Sequence, residues 1–573
     1  EYISNIDIRQ RGNLGVQADV SIRGSSFDHV MVLVNGIALS DAQTGHLSLD
    51  LPIDHESIQR IEILEGPAAR TLGPGAFMGA INIITVSGSL EEVSASYTLG
   101  EYNFHRAHLH AGFKTGNLNH FFSASRSSSD GYIRNTDHKL VNTYYRLNLQ
   151  QDITSMDLQG GYQQKEFGAQ GFYAPRYPDQ YEETNTGFGS LKISTGKLLR
   201  VSSNVYWRRK KDHFLLFRNN PSAYENFHLT DIYGSQLNLS HKGNFLVSTF
   251  GVDLRSENIL SNNIGLLNPN PKKVKGTDSI FYTKQYQRTN FAIFMEFLFS
   301  VRNLNISTGT MVSWNTGFHA PPALFPGLDM SLELRNNITL FTSINRSLHL
   351  PTFTDLFYTD PVNQGNTDLD PNRMSSFEGG IRHSGNVWRY KAAAFYHSGH
   401  DIVDWLWNFT TTRYSPVNLA NYEAYGMSAN STLDLHSRQI KRWFSTFSVN
   451  YLWLEIHKSL PDSVSKYNNL QHKLSLTISQ QPLRNLILSW AVTYQDRLGN
   501  AIGFDQETLN YYLIPYEPFW ILDGSIKWTV SFVQFFFEAS NILNTQYIDA
   551  GSAIQPGRWF KAGVALRFNK KVN

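Results

Sequence analysis

The sequence predicts an all-β membrane protein: a large antiparallel transmembrane β-barrel of about 22 strands with a small globular unit inside its lumen. Three observations carry this. Apolar and polar residues alternate with period two over hundreds of residues. No run of about 18 apolar residues occurs, which excludes a membrane-spanning helix but not a spanning strand. The first 88 residues, rich in glycine and proline turns, differ from everything that follows.

The N-terminal unit is typified by "RIEILEGPAARTLGPGAFMGAINIIT", residues 60–85. Ile61-Glu62-Ile63 and Ile81-Asn82-Ile83 alternate as half-buried strands do. Gly66-Pro67 and Gly73-Pro74-Gly75 between them are turn signals, because glycine admits positive φ and proline fixes φ near −65°. The glycines do not form a phosphate cradle, since neither Lys-Ser nor Lys-Thr nor a long helix follows them.

Alternation begins near residue 90. Val93, Ala95, Tyr97 and Leu99 share one face, with Ser94, Ser96 and Thr98 on the other. Ala107, Leu109, Ala111 and Phe113 oppose Arg106, His108, His110 and Lys114. Val141, Tyr145, Leu147 and Leu149 oppose Asn142, Arg146, Asn148 and Gln150, and Phe560, Ala562, Val564, Leu566 and Phe568 oppose Lys561 and Arg567. The apolar face mixes alanine and glycine with large aromatics and never becomes a dense Val/Ile/Leu core, so it suits lipid better than a sandwich interior. No fixed-period repeat supports a propeller or solenoid. Residues 89–573 hold about 20–24 spanning strands with their turns. Short turns such as "KTGN" (114–117) alternate with long segments, 255–288 and 497–517, which are read as loops of the opposite rim. So wide a barrel leaves a lumen that residues 1–88 are available to fill.

Composition narrows the function. Fifty basic residues balance 48 acidic ones, which argues against a nucleic-acid surface. The chain has 28 Tyr, 37 Phe and 11 Trp, and no cysteine, so thiolate metal sites and cysteine nucleophiles are excluded. No G-x-S-x-G, paired-carboxylate or metallohydrolase motif appears, and an enzyme is not expected.

In order along the chain, "SIRGSSFDHVMVLVNGIALSD" (21–41), "IQRIEILEGPAARTLGPGAFMGAINIIT" (58–85), "RSLHLPTFTDLFYTDPVNQGNTDLDPNRMSSFEGGIR" (346–382) and "FEASNILNTQYIDAGSAIQPGRWFKAGVALRF" near the end resemble the blocks of TonB-dependent outer-membrane transporters. The resemblance implies a plug domain over 1–88, a barrel over 89–573, an outer-membrane location with lipid around the barrel, and no enzymatic activity. It further implies energy from a TonB complex, through an N-terminal coupling segment (the TonB box) expected outside this sequence. The sequence departs from the family at Glu65, where many members carry the arginine of an R-G-P block, and in "NKKVN" after Phe568. The segments 43–52, 167–184 and 208–228 resemble a cobalamin-receptor branch, implying a corrinoid as transported ligand and a surface-exposed cobalamin-binding lipoprotein as partner. Haem or a ferric siderophore is the alternative cargo, a passive porin or a soluble β-rich module the alternative class.

Candidate sites follow. Gln43, Thr44, His46 and Ser48 lie in a polar loop after the apolar strand "VMVLV" and are expected to reach the outer pocket. Tyr173, Tyr177, Trp405 and Trp407 are candidates to grip a ligand, unless they serve as interfacial belt residues. Asp179, Glu182 and Glu183 are candidate calcium ligands. The histidines show no helical H-x-x-x-H or H-E-x-x-H spacing; His108 and His110, on the polar face of a strand, are read as hydrated lumen groups, His46 lies in a plug loop, and His349 precedes the Pro-Thr-Phe block. Arg23 and Glu378 match a plug arginine and an inward barrel position, and are expected to pair as a latch. Glu65 is expected to repel Glu378, with Arg70 supplying the balancing charge. Because the lumen is polar, charged hydrogen bonds rather than a broad apolar interface are expected to hold the plug.

Overall fold

The computed structural model describes residues 5–12, 15–73, 75–88, 91–318, 321–408, 411, 413–435, 445–459, 469–549 and 551–569. Pro74, the segment 89–90 at the expected domain junction and the tail 570–573 lie outside the described residues. Among the described residues, 22 antiparallel strands close into a barrel, the last strand, Trp559–Asn569, pairing with the first, Glu92–Gly100. No helix among them is long and apolar enough to cross a membrane.

Period two becomes geometry in the register. Leu237 faces Val252, and Val252 faces Ile293, so three adjacent strands join their apolar positions into an outward row. Val93, Tyr97, Leu99, Leu109 and Phe113 are exposed in the same way, while Ser94, Thr98 and His108 are buried toward the lumen. Such a belt would be unfavourable in water and is satisfied by lipid. Short turns (116–117, 152–153, 196–198, 302–303) occupy one rim and long connections (169–180, 350–371, 401–421, 541–558) the other. That asymmetry marks the long-loop rim as the outer one.

The segments 255–288 and 497–517 are not irregular loops. Strand Phe281–Val301 runs for 21 residues, about twice the length needed to span a bilayer. Leu266–Lys273 pairs with its upper part, and Asn500–Asp505 pairs with Asn510–Pro515 in a separate ribbon. Strand pairing thus continues above the lipid, where the extended neighbour supplies backbone partners that water could also supply.

Inside the barrel, strands Ile37–Ala38, Val30–Val34, Gly79–Thr85 and Ile58–Glu65 form a four-stranded sheet, beside a pair formed by Ile6–Arg11 and Gln17–Ile22. Val30, Val32 and Val34 run parallel to Gly79, Ile81 and Ile83, and all three valines are buried. Ile61 departs from the half-buried expectation: it is 52% exposed.

The expectation that no broad apolar interface holds the plug is also corrected. The core of the plug sheet is continuous with Phe121, Tyr144, Phe188, Tyr206, Ile232 and Ile259 of the inner wall. Inward aromatics opposite small residues make this possible. At Gly161 a Cβ would lie 2.4 Å from the carbonyl oxygen of Pro52, so only glycine lets plug and wall approach there.

Charges frame this seam. Asp50, in the plug, accepts from both Lys165 and Lys210 of the wall, and all three are buried. Asp41 accepts from Arg208 at 2.6 Å, and Asp7 accepts two bonds from Arg497, at 2.6 and 2.8 Å. Burial opposes ionisation of Asp50, but the two lysines outweigh it and lower its pKa to about 2 from 3.8. A depressed carboxylate stabilises above its unfolded pKa and ceases to as pH falls through its folded one. We therefore expect the contribution of Asp50, about 2 kcal/mol, to be intact above pH 4 and to disappear between pH 4 and 2. Protease sensitivity of the plug followed against pH checks this, and Asp50→Asn should abolish that component of the acid transition.

Candidate functional site

The plug apex and the outer loops enclose a cavity of about 160 Å³. Gln43, Thr44 and His46 line it from the plug, and Tyr173, Tyr177 and Trp405 from the barrel. A short 3-10 turn, Gly45–Leu47, shapes the apex and places His46 against Phe27, their rings stacked 3.9 Å apart. The His46 Nδ1 lies 2.6 Å from Asp19 Oδ1. Burial opposes charge on Asp19, but Arg11 and then His46 hold its carboxyl well below the usual range.

A short helix over Phe353–Phe357 fixes the apex to the barrel. Its capping residue Thr352 accepts from the Asp355 N–H, and Asp355 in turn accepts from the Thr352 N–H. This box leaves the Phe353 and Thr354 N–H groups to donate to the carbonyls of Ala42 and Gln43 at 3.0 Å each. Trp405 Nε1 donates to Asp355 Oδ1 at 2.8 Å, tying the hairpin Ile402–Asn408/Arg413–Leu419 to the same corner. Burial, then the neighbouring Asp28, raises the Asp355 pKa to about 6. Gln43 is immobilised as well, donating to Asp212 Oδ2 at 2.7 Å.

Some expected residues fall elsewhere. Ser48 is buried at 3% exposure and does not line the cavity, because it closes the 3-10 turn on its inner side. Trp407 packs edge-on against Tyr414, with ring centres 5.1 Å apart, and also lies off the cavity. The three carboxylates chosen as calcium ligands are not brought together. Asp179 accepts from Arg134, Glu182 from the Tyr173 hydroxyl, and Glu183 faces His213. Glu182 and Glu183 are consecutive strand residues and point to opposite faces. His108 and His110 line a second cavity, of about 860 Å³, between the plug and the first strands.

Arg23 and Glu378 meet. Arg23 Nη1 and Nη2 each donate to one oxygen of Glu378 at 3.0 Å, and Nη2 also donates to Glu65 at 2.9 Å. The repulsion expected between Glu65 and Glu378 is absorbed because both accept from Arg23. Lys391, not Arg70, brings the further positive charge, 2.7 Å from Glu65 and 3.5 Å from Glu378. Arg70 instead reaches different strands, donating to Asn345 at 3.1 Å, to Ser307 at 3.0 Å and to Asp329. Arg23 also lies 4.4 Å over the Phe395 ring. Its φ of 51° is in the left-handed region, a sparsely populated conformation for a residue with a Cβ.

Sequence reasoning missed Asp50, Lys165, Lys210 and Lys391, and the docking role of the Phe353 helix. A signal for one of these, Lys210, was present: in "RRKKD", Arg208, Lys210 and Asp212 share one face at period two, and that face is the lumen.

Comparison with known proteins gives two family models. "TonB dependent receptor-like, beta-barrel" matches residues 88–542, and "TonB-dependent Receptor Plug Domain" matches residues 1–80. Among curated proteins the chain is 23% identical over 455 residues to the Vitamin B12 transporter BtuB of Vibrio vulnificus, covering 75% of this chain and 69% of that protein. It is 32% identical over 133 residues to the protein of the same name from Vibrio cholerae, where only 23% of this chain and 21% of that protein are covered. Among solved structures, the FrpB iron transporter of Neisseria meningitidis (F3-3 variant) superposes with a TM-score of 0.78 at 14% identity, over 98% of this chain and 95% of that one. The copper transporter OprC superposes with a TM-score of 0.79 at 13% identity, over 99% and 94%. At these identities the structural likeness shows the fold alone.

The four-group arrangement makes a non-additive prediction. Arg23→Ala leaves the buried Glu378 and the half-buried Glu65 with Lys391 as their one remaining cation and should weaken plug seating by about 3–5 kcal/mol, opening measurable conductance in planar lipid bilayers. Glu378→Gln should do far less, since Glu65 still holds Arg23, while Glu65→Gln with Glu378→Gln should approach the effect of Arg23→Ala. Equal leak from both single carboxylate variants and from the double would refute this sharing.

Proposed function

Because the chain belongs to the TonB-dependent receptors, outer-membrane barrels closed by a plug, we propose that it takes up a corrinoid from outside the cell and releases it inward when a TonB complex moves the plug. The observation that carries this reading is the outer cavity, floored by the plug apex at Gln43, Thr44 and His46 and walled by Tyr173, Tyr177 and Trp405. Aromatic walls with a few fixed polar groups suit a large macrocycle bearing amide side chains. The curated relatives named vitamin B12 transporters support the same cargo. A surface lipoprotein that caps the loops and captures cobalamin is the partner proposed with it.

At about 160 Å³ the cavity is smaller than the roughly 300–1,000 Å³ that drug-sized ligands occupy. Entry of a corrinoid therefore requires the cavity to widen, and the strands Ile402–Asn408 and Arg413–Leu419 and the loop 169–180 are the parts of its wall proposed to move. The hydrogen bond from Trp405 to Asp355 is the contact that must yield on one side.

Equilibrium binding of cyanocobalamin, haemin and a ferric siderophore to the purified barrel tests the cargo. Cyanocobalamin should bind tighter by at least 100-fold; tight haemin binding with no measurable cobalamin binding would sink the proposal. Replacing residues 43–48 with a Gly-Ser turn should weaken binding at least tenfold while the barrel still assembles. Unchanged affinity would move the site wholly into the barrel loops.

A further inference from the structure

Asp28 and His29 occupy the plug turn between Gln17–Ile22 and Val30–Val34, and His349 ends the barrel strand Ile338–His349. Their ligand atoms lie within 4.8 Å of one another. Asp28 Oδ1 is 3.9 Å from His29 Nε2, and Asp28 Oδ2 is 3.7 Å from His349 Nδ1. From these residues we infer a binding site for a zinc-class divalent ion at the seam of plug and barrel, adjoining the outer cavity but argued without the corrinoid reading.

Aim is the first argument. The Asn372 side chain has its Oδ1 fixed by the Val403 N–H at 3.1 Å, which turns its Nδ2 toward both imidazoles. That nitrogen is 3.0 Å from His29 Nε2 and 3.5 Å from His349 Nδ1. Two imidazole nitrogens from different domains thus converge on one point, where a cation would replace the amide as their common partner; ligation through His29 Nε2 places the ring proton on Nδ1 and gives up the bond that Nδ1 accepts from the Ser26 N–H at 3.3 Å. The second argument is an orphan: Asp28 Oδ1 is buried without a hydrogen-bond partner, a costly state for a carboxylate oxygen. The third is chemistry. Two imidazoles and a carboxylate are a ligand set for zinc and its neighbours, and in a tetrahedral site with bonds of about 2.0–2.1 Å the ligand atoms stand about 3.4 Å apart. Closing from 3.7–3.9 Å needs only small side-chain rotations.

Asp28 also lines the outer cavity, which gives an ion an entry path and a solvent position for its fourth ligand. The other carboxylate–histidine group, Asp54, Glu56 and His108, lacks this freedom. Its Glu56 is gripped by two nitrogens of Arg106, and its Asp54 accepts from Ser123 and Ser125. An ion held by Asp28, His29 and His349 would fasten the plug to the barrel near the outer face, and would have to be released before the plug moved.

The test uses the full chain in detergent, with zinc chloride and cobalt chloride as probes and no corrinoid present. Equilibrium dialysis should find one Zn²⁺ bound per chain, with affinity reduced at least tenfold in His29→Gln and in His349→Gln, each checked for barrel assembly by its heat-shifted gel migration. Co²⁺ in the unmodified chain should show the strong visible absorption of four-coordinate nitrogen-ligated cobalt and lose it on adding zinc. Zinc retained undiminished by the double variant, or Co²⁺ showing only its weak aqueous spectrum in the unmodified chain, overturns the site, and the second readout needs no variant to fold.

Discussion

The structure depends on one constraint: a barrel of this width has a polar inner wall that must be closed without becoming permanently sealed. The closure is built from plug carboxylates set against wall cations. Asp7 meets Arg497, Asp41 meets Arg208, and Asp50 meets Lys165 and Lys210. Each pair is buried, so each is costly to break by removing one partner, yet its net worth over two hydrated ions is small. Charged contacts of this kind fix where the plug sits more than how strongly it is held. That combination suits an object that must seat in one register and later leave it.

Apolar packing supplies the complementary part. The wall aromatics Phe121, Tyr144, Phe188 and Tyr206 join the plug core, and apolar contact is non-directional, so it tolerates sliding better than a fixed hydrogen-bond lattice does. The charges resist lateral displacement while the apolar seam excludes water between them. Exclusion of water in turn strengthens each ion pair while the plug is seated.

The barrel was legible in the sequence because alternation is a local signal: Val93, Tyr97 and Leu99 announce an outward face without reference to any other strand. Arg23 and Glu378 were legible through the blocks around them. The sharing of Arg23 with Glu65, and the arrival of Lys391, were not, because they depend on which strands are adjacent. Lys391 reaches Glu65 from a strand neighbouring that of Glu378, where Gly379 stands opposite Ala394 and Glu378 opposite Phe395. The long segments 255–288 and 497–517 were misread as loops for a related reason. In the first of them Leu266, Leu267, Lys272 and Lys273 pair only because a neighbouring strand extends above the membrane to meet them, and the turn-like "NPNP" between is where the register shifts.

The outer site illustrates how one short motif acts at two levels. "PTFTDLF" is too short to be a stable helix alone, and its five-residue turn persists because Thr352 and Asp355 cap each other. Once capped, its free N–H groups face the plug apex and hold the carbonyls of Ala42 and Gln43. The same Asp355 receives Trp405 from the overlying hairpin, so the state of this corner is communicated to the plug below and the loop above. The cavity wall and the attachment of the plug thus meet at one carboxylate, within bonds that each contribute about 1 kcal/mol and are therefore reversible.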